Sequence, residues 1–518
     1  MRSLSAATAL AAMLLSFAAS PAFAKSDAPP KADKPNATLI TPQSSVTEGS
    51  VSVEGKRIDY KAVAGTLVLH GDGDKENVPT VSMFYVAYFK KGASAEKRPV
   101  TFIYNGGPGS ATVWLHMGAW GPHRVVTADH THTAAAPYGF VNNDYSLLDA
   151  SDLVFIDAPG AGFSRLIANN KDKSKRGEQM KERKKAIYSV DGDAQAFAQF
   201  INQFLSKYGR WNSPKYLFGE SYGTTRSAVL ANILENQASI DLNGVILLSQ
   251  ILNLDLPYIL ALPTYAATAW YHHKLPQQPA ELKPFLKEVE AYALGDYTHA
   301  LMQGSHLGAA EKQAVAAKLH EYTGLTTAYL LKANLRVSGG MFEHTLLGDA
   351  DMTTGRLDTR FKGPSLDPLS KGSRYDPQSS AISSAYVAVF NNYVRKTLKY
   401  GQDQHYRLYA NTGRWDFSHR PPGARRGLQQ SLNVMPDLAA AMKTNPNLKV
   451  FLNGGYYDLA TLFFAAQYEM DHLPIPASLQ KNISYAWYPS GHMVYAHLPS
   501  LHALHDNVAN FIEQTSGH

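Results

Sequence analysis

Tyr216-Leu217-Phe218-Gly219-Glu220-Ser221-Tyr222-Gly223-Thr224-Thr225 is the stretch that decides the fold. Tyr216 to Phe218 is a short, continuous apolar run, as expected of a parallel strand covered on both faces. Gly219-Glu220-Ser221-Tyr222-Gly223 then fits Gly-x-Ser-x-Gly, a sharp turn that lifts a serine hydroxyl above the end of a strand. Such a turn strains the serine backbone, and the flanking glycines remove side chains that would clash. Five residues can match by chance, but the setting adds weight. The segment from Thr224 to Leu234 is compatible with a helix, and the turn needs strand, elbow and helix in that order. An ordinary strand-to-helix turn with an incidental serine is the competing reading. Ser221 is the candidate nucleophile.

An elbow serine needs a base and an acid to orient that base, and in chain order these follow as Asp and then His. Asp458 lies in Gly454-Gly455-Tyr456-Tyr457-Asp458, just past the apolar run Lys449 to Leu452. His492 lies in Ser490-Gly491-His492-Met493-Val494, just past Ile483 to Trp487. Both sit at carboxyl ends of expected strands, where open α/β sheets place their sites. Among 19 histidines only His492 combines that position with a flanking glycine. His130, His132, His272 and His273 read as surface residues. Asp437 and Asp471 are rival acids, but one precedes its strand and the other ends a helix.

Similar runs extend in both directions. Val51 to Val53 and Gly65 to Leu69 suggest an opening antiparallel pair, followed by Ser82 to Phe89, Val100 to Tyr104, Leu153 to Ile156 and Val245 to Leu248. Helical patterns fall between them, at Asp191 to Lys207, Thr225 to Glu235, Leu459 to Met470 and Leu501 to Gln514. This alternation predicts an α/β fold with a mostly parallel central sheet and helices on both faces. Residues 254–434 break the rhythm with helical segments at Pro279 to Leu294 and Ala309 to Tyr322, then Gly/Pro-rich text from Gly363 to Pro377. They read as a largely helical cap insertion between core segments 51–253 and 435–518.

The chain has 518 residues, 45% of them hydrophobic and 18% charged, which is an ordinary globular balance. That length exceeds one compact core and fits a main domain with a large insertion. Residues 1–24 have a basic start, an apolar run and the ending Pro21-Ala22-Phe23-Ala24, the pattern of a secretory signal peptide cleaved after Ala24. Residues 25–50 read as a flexible leader rich in Pro, Ser, Thr and Lys. There is no cysteine, so an exported product would rely on core size, and a bacterial periplasmic or secreted location is expected. No lipid-attachment cysteine follows the signal, so no membrane anchor is expected after its removal. The net charge of +6 comes with no nucleic-acid module. Its densest basic run, Lys171 to Lys185, is interleaved with acids and reads as a solvated loop or exposed helix. Asp72-Gly73-Asp74 lacks the later ligands of a calcium loop and reads as a hairpin turn. No metal or cofactor is expected.

Four segments in order resemble the serine carboxypeptidases, an α/β-hydrolase family. They are Asn105-Gly106-Gly107-Pro108-Gly109, Asp157 to Ser164, the Gly-Glu-Ser-Tyr elbow, and Gly491-His492-Met493-Val494. The resemblance implies a serine-type carboxypeptidase acting on peptides with a free C-terminus. It implies that Asn105, Gly106 and Glu220 bind the substrate carboxylate, with Glu220 protonated. It also implies that the amides of Gly107 and Tyr222 form the oxyanion hole. This chain departs from the family at several points. Ser110 replaces a Cys, Ile103 a frequent Trp, Ala119 a frequent Glu, Tyr456 an Asp, and Tyr495 a Pro. An esterase or acyltransferase on the same scaffold, or a non-catalytic peptide-binding protein, are the alternatives.

Overall fold

The computed structural model describes residues 40–71, 77–255, 257–424 and 431–517. The expected signal segment and the Asp72-Gly73-Asp74 turn lie outside them. Fourteen strands occur in the described residues. They are β1 (Ser44–Val53), β2 (Lys56–His70), β3 (Pro79–Lys90), β4 (Val100–Tyr104), β5 (His123–Val125), β6 (Phe140–Asn142), β7 (Asp152–Ile156) and β8 (Arg165–Leu166). After them come β9 (Lys215–Glu220), β10 (Gly244–Leu248), β11 (Met352–Thr354), β12 (Lys362–Pro364), β13 (Lys449–Gly455) and β14 (Ile483–Tyr488). The main sheet runs β1-β2-β3-β7-β4-β9-β10-β13-β14, with β8 paired to β3. From β7 to β14 all neighbours are parallel, while β1, β2 and β3 pair antiparallel. The expected α/β architecture is therefore present.

Burial follows position in the sheet. Every residue of β4, β7, β9 and β10 is buried, which matches their largely apolar text. At the edge, β1 alternates exposed and half-buried residues. It begins at Ser44, inside the stretch expected to be a flexible leader. Its polar text gives no apolar alternation before Val51, yet its backbone pairs along β2 from Ser44↔Gly65 to Val53↔Lys56. The expected opening antiparallel pair is present, with its register set by a tight turn at Glu54-Gly55 that puts Val51 opposite Ile58 and Ser44 opposite Gly65.

The longer helices are α1 (Lys173–Ile187), α2 (Val190–Tyr208), α3 (Tyr222–Asn236), α4 (Leu262–Tyr271), α5 (Leu282–Tyr292) and α6 (Ala309–Thr323). Then follow α7 (Pro377–Lys396), α8 (Met435–Thr444), α9 (Phe463–Asp471) and α10 (Leu498–Thr515). In α2 Ser189 caps the start by accepting from Gly192 N, and Asp191 and Asp193 fill the first turn. Its buried stripe of Ala194, Phe197, Ile201 and Phe204 has helical spacing. Alternation along β9 shows both faces covered. The Tyr216 hydroxyl donates to Ile512 O of α10 at 3.1 Å. The opposite face of the strand, at Gly219, lies against Ser227 of α3. The basic run forms α1, which buries no residue.

Residues 254–434 divide in two. Helices α4, α5 and α6 build a second apolar core that continues into Tyr456, Tyr457, Leu459 and Phe463. By contrast, Tyr386, Phe390 and Tyr393 of α7 join the main core. No helix of the described residues is long and apolar enough to cross a membrane.

Candidate active site

The chain order turns at β4, with β7 on one side and β9 on the other, and open α/β sheets bind ligands outside the carboxyl ends at such a switch point. The loop after β4 carries Asn105 to Gly109, and the turn after β9 carries Ser221. Ser221 has φ 60° and ψ −129°, a conformation costing about 1–3 kcal/mol for a residue with a side chain. It is held by Ser221 N donating to Leu248 O at 3.0 Å and by Thr224 N donating back to Ser221 O at 2.8 Å. The two loops touch. A Cβ on Gly106 would lie 2.4 Å from Tyr222 N and 2.7 Å from Glu220 O, so only glycine fits there. Tyr222 N opens α3 and belongs to the amides that have no acceptor within a helix.

Asp458 and His492 project from the loops after β13 and β14. His492 Nδ1 lies 2.7 Å from Asp458 Oδ2. The same carboxylate accepts from Thr461 Oγ1 at 2.7 Å, and its Oδ1 accepts from the amides of Ala460 and Thr461 at 2.7 and 2.9 Å. These local bonds occupy the residues that the sequence pattern reads as helix from Leu459, and α9 starts only at Phe463. Burial presses the His492 imidazolium downward in pKa, but the Asp458 carboxylate, helped by Glu220, more than offsets this and the net shift is upward. Ser249, at the end of β10, donates through Oγ to His492 O at 2.7 Å. The residue before it, Leu248, accepts the Ser221 amide. One strand end thus ties the serine turn to the histidine loop. From the 254–434 stretch, Leu357 O accepts His492 N at 2.6 Å and Asp358 Oδ2 accepts Gly491 N at 3.2 Å.

Asn105 and Glu220 are both buried. Leu115 N donates to Asn105 Oδ1 at 3.1 Å, which leaves the Asn105 NH₂ as a donor to Glu220 and to the Tyr495 oxygen. Arg226 Nη1 donates to Asn105 O at 2.9 Å and is itself paired with Asp193 through Nε at 2.6 Å. Glu220 Oε2 accepts from the Tyr495 hydroxyl at 2.8 Å. Burial pushes the Glu220 carboxyl up to about 7, against the lowering influence of His492, Tyr495 and Asn105. Tyr409 is 60% exposed, bridges to Ser110 and feels the Glu220 charge, so it forms an open wall near this pair. Tyr409 also lines a cavity of about 1290 Å³, and Ser221, Asp458 and His492 are not among its lining residues.

The structure therefore joins Asp458 to His492, and seats Asn105, Gly106 and Glu220 around the turn that carries Ser221. Among the described residues no hydrogen bond links Ser221 Oγ to His492. Of the rival acids, Asp437 binds His419 instead, at 2.8 Å. Sequence reasoning missed Thr461, Ser249 and Asp358, short polar residues with no motif around them. It noted Tyr495 only as a departure, without its partner Glu220.

A model of the serine carboxypeptidase family matches residues 70–490, ending just before His492. No curated protein matches the chain significantly. Among solved structures, Kex1(delta)p, a prohormone-processing carboxypeptidase from Saccharomyces cerevisiae, is similar at 15% identity and TM-score 0.54, over 88% of this chain and 91% of that one. A proline iminopeptidase from Mycobacterium smegmatis is similar at 14% identity and TM-score 0.35, over 87% of this chain and 98% of its own. With most of its length inside the family model, the chain belongs to the serine carboxypeptidase family.

Proposed function

We propose that this protein removes C-terminal residues from peptides through an acyl-enzyme on Ser221. In this reading Ser221 Oγ attacks the scissile carbonyl carbon while His492 Nε2 takes the hydroxyl proton. Asp458 holds Nδ1 and balances the imidazolium. The amides of Gly107 and Tyr222 receive the oxyanion. On collapse His492 returns the proton to the departing amine, and the C-terminal amino acid leaves. A water then attacks the ester carbonyl with His492 again as base, freeing the shortened peptide and Ser221. Asn105, the Gly106 amide and a protonated Glu220 hold the substrate's carboxylate. The export reading belongs to the same proposal, with the mature chain acting in the periplasm or outside the cell.

One observation carries the exopeptidase reading. A buried carboxyl with a pKa near 7, Glu220, stands one residue before the elbow serine and faces a donor-oriented Asn105. A second carboxylate arriving there is accepted only if Glu220 holds a proton. Amidating the substrate's C-terminus should therefore lower kcat/KM by about 10- to 100-fold, the value of a charge-assisted hydrogen bond. Equal cleavage of acid and amide, or cuts in the middle of long peptides, would defeat the proposal.

A further inference from the structure

The hydroxyl of Tyr495 reaches the one carboxyl in the cleft that the proposed reaction needs in its protonated form. Tyr495 lies in the short turn Val494–Ala496 after His492 and is buried. Its ring fits because the facing turn, His116–Trp120, is a single π-helical turn carrying small residues at Gly118 and Ala119. A Cβ on Gly118 would lie 2.7 Å from the Tyr495 ring and 2.5 Å from the Tyr386 hydroxyl. One departure of the sequence, Tyr495, thus packs on Gly118, the neighbour of another, Ala119.

We propose that Tyr495 is a positioning residue that dictates which oxygen of Glu220 carries the acidic proton. The proposal rests on the reading of Glu220 as a carboxylate-binding group. The Asn105 NH₂ also donates to the phenol oxygen, which leaves the phenol proton for Oε2, so a neutral Glu220 carries its own proton on Oε1. There the proton is free to point at the incoming C-terminal carboxylate, beside the NH₂ of Asn105. A phenol suits this task because burial holds its own pKa well above the ordinary value, so it stays a donor. It also stabilises the ionised form of Glu220, and so keeps that pKa lower than burial alone would set it. The other groups facing Glu220 are His492 and Asp458 from the loops after β14 and β13, Tyr386 from α7, and Tyr409 beside Ser110. None of these makes a hydrogen bond to Glu220 among the described residues.

The test begins with the wild type, where a preference for free acid over amide must be present; its absence would sink the carboxylate reading itself, whatever Tyr495 does. With that preference in hand, Tyr495→Phe should raise the KM of free-acid peptides near pH 5 by about tenfold, with kcat little changed and amide substrates unaffected. The pH at which peptide KM begins to climb should move up by about one unit, because the ionised Glu220 has lost a donor. Placing 3-fluorotyrosine at 495 keeps the ring and strengthens the donor, so the same limb should move down. In a Glu220→Gln background Tyr495→Phe should leave the pH profile unmoved. Equal KM changes for acid and amide, or an unmoved limb with fluorotyrosine, would overturn the proposal even if Tyr495→Phe fails to fold.

Discussion

His492 and His419 are both buried imidazoles, and each lies against a fully buried aspartate. His492 gives Nδ1 to Asp458 at 2.7 Å, and its Nε2 has no hydrogen-bond partner among the described residues. His419 is held from both sides, with Nδ1 at 2.6 Å from Asp191 and Nε2 at 2.8 Å from Asp437. Burial would lower the His419 pKa, yet the two carboxylates raise it to about 9. An imidazole with both nitrogens donating to carboxylates is a fixed cation that joins α2 to α8. With one nitrogen open, it can take a proton and return it. A buried Asp–His contact alone does not separate the base proposed for His492 from a brace such as His419; the state of the second nitrogen is where the two differ.

The largest expected effect breaks the comparison at its reactive side. Ser221→Ala and His492→Ala should each lower kcat by about 10⁴- to 10⁶-fold, since the members of such a group act as a unit. His419→Gln should leave kcat of the folded protein within about threefold. Steady-state assays with a blocked dipeptide decide it, and near wild-type turnover in Ser221→Ala would end the serine mechanism.

A smaller effect is expected one bond further out. Asp458→Asn should cost about 10⁴-fold in kcat by favouring the wrong tautomer of His492. Asp437→Asn, the matched change on the other histidine, should alter melting temperature and leave kcat near the wild-type value. If the two substitutions cost the same activity, the distinction between the histidines fails.

Much of this arrangement is legible in the sequence alone. Motifs mark Ser221 and His492 because strained turns and strand ends demand particular residues at fixed spacing, and Asp458 follows from its place after an apolar run. The His419 clamp was not legible. Its partners stand 228 and 18 residues away, and no local pattern announces a contact that exists only after α2 and α8 have packed. Nor was β1, whose polar residues from Ser44 to Ser50 are held by backbone pairing, to which side-chain periodicity is blind. Tyr495 was visible as an unusual residue and Ala119 as another. Only the fold puts Tyr495 against Glu220 and the ring beside Gly118.

A third expectation concerns proton uptake at Glu220, whose pKa lies near 7. On the proposed role, in which the protonated form binds, KM for free-acid peptides should be constant below about pH 6 and climb by about tenfold per pH unit above about pH 8. Amidated peptides should lack that climb, and Glu220→Gln should flatten it. Initial-rate measurements across this range check the point. A wild-type KM for the acid that stays flat through pH 9 would remove Glu220 from substrate binding.

The smallest effect is on stability and belongs to His419. Its folded pKa of about 9 exceeds the unfolded value of about 6.5, so the native state binds this proton more tightly than the unfolded chain does. The stabilisation is complete below about pH 6.5 and disappears as pH rises through about 9. A difference of that size corresponds to about 3 kcal/mol as an upper bound, trimmed because Asp191 is half-exposed and its attraction is screened. Buried carboxyls with raised pKa values, Glu343 and Glu469 among them, also lose stability as pH climbs, so the wild-type slope alone does not isolate the clamp. The informative quantity is the difference between wild type and His419→Gln in urea unfolding. That difference should be greatest near pH 6 and shrink by about 2–3 kcal/mol by pH 10. A difference independent of pH would mean that His419 acts by shape and not by charge, and the contrast with His492 would then rest on chemistry alone.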